Sequence, residues 1–151
     1  KYKLYGVRLD TSGSLRDVSV QPLGDPALDL GVNPRLVFNV RQVTTTQYLA
    51  RAFFPSSSRK SREVLIATSS FGNISPWTLT GVLRHELGHT IGFRHEHTRP
   101  ESGACFEDNN WRALTAYDSS SVMHYPQCNG TQNGDLVLTN LDKQGASALY
   151  P

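Results

Sequence analysis

The segment HELGHTIGFRHEH, at positions 85–97, concentrates side chains that can bind metal ions and transfer protons. It contains four of the chain's five histidines, together with two glutamates. His85 and His89 are four residues apart, a spacing that places both imidazoles on one face of a helix, within reach of one metal ion. The pattern H-E-x-x-H is a zinc motif in which the glutamate, here Glu86, acts as the general base. The segment therefore predicts a metal centre with a base beside it.

The residues after His89 extend the motif to H-E-x-x-H-x-x-G-x-x-H, which is similar to the metzincin pattern. Gly92 is expected to end the helix in a left-handed conformation, which glycine adopts without steric cost, so that His95 returns to the same metal. Three neutral imidazoles leave zinc at least one open position, as catalytic zinc sites do. His97 and His124 lie at offsets that fit no further ligand, and we expect both to support the site through hydrogen bonds.

Two strings resemble the astacin family of zinc peptidases. HELGHTIGFRHE resembles the astacin signature, in which a glutamate, here Glu96, follows the third histidine, and YDSSSVMHYP is similar to the astacin methionine turn. The resemblance implies that Met123 packs beneath the metal and that Tyr125 is a displaceable further ligand that stabilises the transition state. Glu96 is expected to accept hydrogen bonds that orient the site. Astacins bury the mature amino terminus near this glutamate, and whether Lys1 reaches it stays open.

The helix that carries the motif has clear signals at its start. Ser75 suits the N-cap and Pro76 suits the first helical position. Apolar residues at positions 79, 82, 83 and 87 form a stripe that can face a core. The sequence therefore predicts a helix that begins at Ser75 and packs this apolar stripe against the core.

Strand and helix patterns alternate before that helix. Alternation and β-propensity predict strands over residues 2–9, 35–43 and 63–71. Helical spacing predicts a helix over residues 44–54, ended by Pro55. Near the other end of the chain, Thr139 followed by Asp142 is a capping signal that predicts a short terminal helix.

The resemblance implies a single α+β metzincin catalytic domain over residues 1–151. Its upper subdomain, about residues 1–92, would contain a twisted, mostly parallel sheet with the active-site helix above it. Its lower subdomain, about residues 93–151, would be small and irregular and would end in the C-terminal helix. The substrate is expected to add as an extra strand along an edge near EVLIATSSF, residues 63–71.

The two cysteines, Cys105 and Cys128, match no Cys-x-x-Cys metal or redox pair. One interpretation is two buried free thiols. The other, which we favour, is a disulfide that closes a loop rich in Asn, Asp, Ser and Gly, because such a segment has little core of its own. A disulfide would indicate an oxidising compartment, and we therefore expect a secreted protein.

The overall composition narrows the function. A net charge of +2, from 15 basic and 13 acidic residues, predicts no nucleic-acid partner, and no apolar run approaches a membrane span. We predict a monomeric, zinc-dependent endopeptidase that acts on peptides or proteins. One alternative is another metzincin branch such as a serralysin-like site, against which Glu96 argues. A second alternative is a non-catalytic zinc-binding recognition module, which would have no use for Glu86.

The segment PQCNGTQNGDLVLTN, at positions 126–140, follows the methionine turn and is expected to form the pocket for the side chain after the scissile bond. Many astacins favour an acidic residue there, because a basic residue lines the pocket. This segment contains no arginine or lysine. An acidic preference should therefore be weak or absent, because a desolvated carboxylate would gain no charged partner, unless Arg99 or Lys143 reaches in from outside.

Overall fold

A computed structural model of the chain describes residues 18–19 and 38–150, which form a four-stranded sheet, two α-helices and several single turns of 3₁₀ helix. None of the described helices has the length and apolar character needed to cross a membrane. The strands are β1 (Val18–Ser19), β2 (Asn39–Val43), β3 (Ala50–Arg51) and β4 (Glu63–Ala67), and the helices are α1 (Leu79–Thr90) and α2 (Asn140–Leu149).

The order of the strands across the sheet is β1-β2-β4-β3. β2 and β4 are parallel, with Val40 opposite Val64 and Val43 opposite Ala67. β1 pairs antiparallel with β2, and β3 pairs antiparallel with β4. The α+β class is therefore confirmed, but the prediction of a mostly parallel sheet is wrong for the described strands. The short connection between β3 and β4, residues 52–62, returns the chain antiparallel because it contains no crossover helix.

The predicted strands are present but shorter where they can be compared. The strand predicted over residues 35–43 is observed as β2 from Asn39, with positions 35–37 outside the described residues. The strand predicted over residues 63–71 ends at Ala67, and Thr68–Phe71 form a turn of 3₁₀ helix instead. The strand predicted over residues 2–9 lies outside the described residues.

The helix predicted over residues 44–54 is wrong, because this segment contains β3. Ala50 pairs with Ile66 and Arg51 pairs with Leu65 across the sheet. Hydrogen bonding to a neighbouring strand here overrides a helical spacing of apolar residues, and three consecutive β-branched threonines at its start weaken the helix further. Since β3 lies outside β4, the expectation that β4 and the residues after it form the edge is also wrong, and β3 is the outermost described strand on that side.

One face of the sheet packs against α1. Val40, Phe53, Val64 and Ile66 form a buried cluster, and Leu79 and Leu83 of α1 pack against it with Phe38 and Ala52. The apolar stripe of the helix therefore fixes α1 on the sheet, which leaves its other side free to present polar side chains.

The start of α1 differs from the prediction. Its N-cap is Thr78, whose hydroxyl oxygen accepts the Gly81 N–H at 3.0 Å. Ser75 and Pro76 lie in a turn before it, where the Ser75 N–H donates to the Asn73 side chain. The N-cap predicted at Ser75 is therefore wrong, because the hydroxyl that caps the helix is that of Thr78 and the Ser75 N–H is engaged by the Asn73 side chain.

The terminal helix α2 begins with the predicted capping box of Thr139 and Asp142. The Asp142 carboxylate also accepts the Ser121 hydroxyl at 2.6 Å and the Val122 N–H at 3.0 Å. This one carboxylate therefore ties α2 to the turn at residues 121–125. The division of the chain near residue 92 stays a prediction, and we use "upper half" for residues 38–92 and "lower half" for residues 93–150.

Candidate metal centre and active site

Three histidine rings converge at the boundary between the two halves. The Nε2 atom of His89 lies 3.2 Å from that of His85 and 3.1 Å from that of His95, and the last two are 3.1 Å apart. Nitrogens at these separations can all lie about 2.0–2.1 Å from one point, which is the usual Zn–N distance. The residues therefore fit a bound zinc ion.

The opposite nitrogen of each ring is engaged by an acceptor. Because carbonyl and carboxylate oxygens only accept, each Nδ1 carries the proton and each Nε2 directs a lone pair at the common point. For His85, His89 and His95 in turn, the acceptors are Val122 O at 2.9 Å, Phe93 O at 2.8 Å and Glu107 Oε1 at 2.6 Å. All three rings are thus held in the tautomer that binds a metal.

The protonation of these rings agrees with that tautomer. Burial, followed by the neighbouring rings of His89 and His95, lowers the pKa of His85 to about 3. Burial, followed by the rings of His89 and His97, lowers the pKa of His95 to about 3, and burial lowers the pKa of His89. The histidines are therefore neutral at physiological pH, as metal ligands must be.

Gly92 directs the chain from α1 towards His95. Its φ of 100° lies in the left-handed region, which a side chain would strain. The Phe93 N–H then donates to Gly88 O at 3.1 Å, and the Gly92 N–H donates to His89 O at 2.9 Å. The helix therefore ends in a capped turn, and the chain leaves it in the direction that brings His95 back.

Glu86 lies on α1 between the first two histidines and is buried. Burial raises its pKa to about 7, and a hydrogen bond from the Ala52 backbone acts in the opposite direction. Ala52 directly follows β3, so the carboxylate lies between α1 and the edge strand. A carboxylate with such a pKa can both accept and return a proton near neutral pH.

Tyr125 packs its ring against the histidines. Its centroid lies 5.1 Å from that of His85 and 4.6 Å from that of His95. Burial, followed by Glu86 and Glu107, raises the pKa of Tyr125 to about 12. The hydroxyl therefore stays protonated and can act as a hydrogen-bond donor in the cleft.

Met123 is buried under α1, in a cluster with Val122 and Leu136. A Cβ atom added at Gly88 would meet its sulfur at 2.4 Å. The turn can therefore approach the helix only because position 88 has no side chain. Sequence reasoning missed Gly88, although a glycine in the middle of a predicted helix is a signal of close packing.

Glu96 connects three parts of the lower half. Its Oε1 accepts the Arg99 guanidinium at 3.1 Å and the Asp118 N–H at 3.0 Å, and its own N–H donates to Met123 O at 2.9 Å. Glu96 thus joins the third histidine to the methionine turn, because it accepts the Asp118 N–H and donates its own N–H to Met123. The question of a contact with Lys1 lies outside the described residues.

His97 and His124 are both buried and both contact the backbone of Tyr125. His97 Nδ1 accepts the Tyr125 N–H at 3.2 Å. His124 Nδ1 donates to Tyr125 O at 3.0 Å, and its Nε2 accepts the Tyr117 hydroxyl at 2.8 Å. The two rings therefore hold the tyrosine by its backbone N–H and by its backbone carbonyl.

Sequence reasoning also missed Glu107, which accepts hydrogen bonds from His95 and from His97 Nε2, the latter at 3.3 Å. Nothing in its spacing from the motif singles it out. The signal nearest to it is the cysteine two residues earlier, because the structure joins Cys105 to Cys128. The disulfide brings the segment that carries Glu107 to the turn that follows Tyr125.

A cleft of about 820 Å³ opens between β3 and the metal centre. Its walls include the edge strand on one side and the catalytic candidates on the other, among them Ala50, Arg51, Glu86, His89, His95 and Tyr125. The arrangement places two of the three potential metal ligands, a carboxylate of raised pKa and a protonated phenol on the wall of one cleft, with the third ligand, His85, buried beside them.

Comparison with known proteins agrees with this arrangement. A reprolysin-type sequence family described as metallo-peptidase family M12 matches residues 35–133. The astacin-like metalloendopeptidase of Coturnix japonica is 41% identical over a match that covers 30% of this chain and 15% of the relative. Tolloid-like protein 2 of Homo sapiens is 31% identical over 47% of this chain and 9% of the relative.

The curated relatives are longer than the matched segment, which spans between 9% and 23% of their length. Among solved structures, that of myroilysin covers 74% of this chain and 72% of its own, with a TM-score of 0.46 and 20% sequence identity.

Proposed function

We propose that this chain, which belongs to metallopeptidase family M12, is a zinc-dependent endopeptidase with Glu86 as its general base. The observation that carries the proposal is the set of three Nε2 atoms, 3.1–3.2 Å apart, at the cleft that Glu86 and Tyr125 also line. A purely structural zinc site would use a fourth protein ligand and would have no need of a buried base.

Zinc would be held by His85, His89 and His95, with Tyr125 as a displaceable further ligand. When bound, zinc supplies Lewis acidity that polarises a water molecule and the scissile carbonyl. The neutral tautomers and the acceptors behind each ring support this assignment, because they orient the donor nitrogens before any ion arrives.

Glu86 carries the proton through the reaction. Its carboxylate takes a proton from the attacking water as the water oxygen bonds to the carbonyl carbon. It then delivers that proton to the amide nitrogen as the carbon–nitrogen bond breaks, which gives a carboxylic acid and an amine. Burial supports both roles, since a carboxyl group with a pKa of about 7 is a competent base and a competent acid.

Tyr125 stabilises the negative charge that develops on the carbonyl oxygen. Its hydroxyl remains protonated because burial raises the tyrosine pKa to about 12. A donor placed where charge develops lowers the energy of the transition state more than that of the bound substrate. The contacts of His97 and His124 with its backbone support a fixed starting position for this side chain.

We assign the chain to the astacin branch within the family. The family match is of the reprolysin type, whereas the relatives include astacin-like enzymes. Two residues support the astacin branch, namely Glu96 directly after the third histidine and Tyr125 two residues after the methionine. Tyr125 packs its ring against His85 and His95, and the Glu96 side chain accepts hydrogen bonds from Arg99 and from the Asp118 N–H.

The substrate is a peptide or protein in extended conformation. Among the described strands, β3 is the outermost on the side of the cleft, so a peptide can add there as a further strand. The Cys105–Cys128 disulfide supports a role outside the cell, where such bonds persist. We propose that the protein acts as a monomer.

A peptide-cleavage assay with and without chelator tests this function. A diverse peptide library should be cleaved by the purified protein, cleavage should stop after removal of zinc by a chelator, and one equivalent of zinc should restore it. Undiminished cleavage by protein shown to be free of transition metal would contradict the proposal.

A further inference from the structure

One carboxylate outside the zinc motif receives hydrogen bonds from two histidines. Glu107 Oε1 lies 2.6 Å from His95 Nδ1 and 3.3 Å from His97 Nε2. The two rings are stacked, with centroids 4.6 Å apart and planes 20° apart. The same oxygen can therefore orient both rings at once.

The tautomer of His97 is fixed by its other contact. Its Nδ1 accepts the Tyr125 N–H, so the ring proton is on Nε2, which faces Glu107. The His97 side chain is 2% exposed and its centroid lies 4.8 Å from that of Tyr125. A continuous set of contacts thus runs from Glu107 through His97 to the tyrosine backbone.

The segment that carries Glu107 is held in place from both ends. The Thr98 hydroxyl oxygen accepts the N–H groups of Glu107 and Asp108 at 3.2 and 3.3 Å. Arg94 pairs with Asp108 at 2.7 Å and lies 3.9 Å from Glu107 Oε2. On the other side, the disulfide from Cys105 reaches Cys128, whose N–H donates to Tyr125 O at 3.0 Å.

We propose that Glu107 and His97 form a positioning pair that orients the third metal ligand and the tyrosine together. Glu107 holds the His95 ring with Nε2 towards the zinc position, and His97 transmits the position of Glu107 to Tyr125. A carboxylate behind a ligating histidine makes its ring more basic and limits its rotation, so it raises metal affinity. This inference rests on the proposed function, but its central measurement, zinc affinity, does not depend on catalysis.

The test compares Glu107→Gln with Glu101→Gln. Each variant removes one negative charge from the chain that follows the third histidine. Glu101 is exposed and bonds to Arg99 rather than to a histidine, so Glu101→Gln is the control. The zinc dissociation constant is measured by competition with a chromophoric chelator. We expect zinc to bind about 10- to 100-fold more weakly to Glu107→Gln and with unchanged affinity to Glu101→Gln.

Two further measurements separate positioning from simple stability. The unfolding temperature of the zinc-free Glu107→Gln variant should equal that of the zinc-free wild type. Glu107→Asp, which keeps the charge on a shorter side chain, should recover part of the zinc affinity. Equal zinc affinity in Glu107→Gln and Glu101→Gln, or a loss explained by unfolding of the zinc-free protein, would overturn the proposal.

The coupling to Tyr125 is tested with His97→Gln. This variant should lower kcat more than it weakens zinc binding, and its effect on kcat should be smaller in a Glu107→Gln background, because members of one unit are not additive. Additive effects on kcat would show that the two residues act separately and would overturn the pairing. If the wild-type protein binds zinc but cleaves no peptide, the proposed function fails while the zinc-affinity comparison still decides the role of Glu107.

Discussion

The two sides of the candidate metal centre are built by different means. His85 and His89 come from α1, and the acceptors behind them are backbone carbonyls of Val122 and Phe93. His95 comes from irregular chain, and its acceptor is the Glu107 side chain. The geometry of the first two ligands therefore follows from regular secondary structure, whereas that of the third depends on one specific side chain.

The same contrast extends to what stabilises each half. α1 is fixed on the sheet by apolar contacts of Leu79 and Leu83. The lower half has a smaller apolar cluster around Met123 and is fixed in addition by polar contacts, such as Asp142 with Ser121, and by one disulfide. Apolar packing tolerates conservative substitution, but removal of one member of a polar network leaves its buried partners without a hydrogen bond. Substitutions in the polar contacts of the lower half should therefore disturb the candidate site more than conservative substitutions in the apolar contacts of the upper half.

Glu86→Gln should give the largest effect and should act only on the chemistry. The amide cannot take a proton from water, so we expect turnover to fall by about 10²- to 10⁴-fold. The three ligands on both sides are untouched, so elemental analysis should still find about one zinc per chain. A variant that keeps the wild-type rate would show that another group is the base.

Tyr125→Phe should give the next largest fall in turnover, and it changes a residue of the lower half. The aromatic ring keeps its packing against the histidines, but the donor for the developing charge is lost, so kcat should fall by about 10²-fold. Zinc affinity should change less, because three imidazoles remain. Steady-state kinetics and chelator competition on the same preparation measure both quantities, and unchanged kcat would remove Tyr125 from the reaction.

The contrast also explains what the sequence could and could not predict. Helical spacing was enough to bring His85, Glu86 and His89 together, because α-helix geometry is the same in every protein. The contact of Glu107 with His95 depends on how a loop of irregular chain folds back, and no period in the sequence encodes that path. The resemblance to astacins supplied Met123 and Tyr125 but not Gly88, whose role depends on how closely the turn approaches the helix.

The errors in the upper half have a related cause. The apolar spacing at residues 44–54 fits a helix, but Ala50 and Arg51 gain hydrogen bonds with β4 that no local pattern reveals. The start of α1 differs from the prediction because Ser75 and Thr78 are both residue types suited to an N-cap, and in the structure it is the Thr78 hydroxyl that accepts the Gly81 N–H. In both places the local sequence allows two structures, and contacts that no local pattern shows determine which one forms.

Removal of the disulfide should act on the lower half first and on the metal centre through it. The bridge joins residues that are 23 positions apart in the sequence. A Cys105→Ala/Cys128→Ala variant should therefore lose about 3 kcal/mol of unfolding free energy. Urea denaturation of this variant and of reduced wild type should give the same loss. Zinc affinity should also fall, because Glu107 lies two residues after the bridge. Unchanged stability together with unchanged zinc affinity would show that polar contacts alone hold this half.

The smallest expected effect concerns the pocket for the side chain after the scissile bond, which the lower half is expected to form. Arg99, one of two cations that could reach it, is 8% exposed and bonds to Glu96 and Glu101. The other, Lys143, lies on α2 and lines a cavity that Arg99 also lines, whereas neither cation lines the cleft beside β3. No arginine or lysine occurs in residues 126–140, whereas Val137 and Leu138 there are exposed.

We therefore expect apolar and neutral side chains to be accepted after the cleaved bond, without a preference for acidic ones. The sharpest test is a pair of peptides that differ only by Glu or Gln at that position, because the two side chains have nearly the same shape. A substrate carboxylate would lose its hydration and gain no cation, so kcat/KM for the Glu peptide should not exceed that for the Gln peptide. Faster cleavage of the Glu peptide, with a difference that shrinks as salt is added, would reveal a cation in the pocket and would place a charged contact on this side of the cleft.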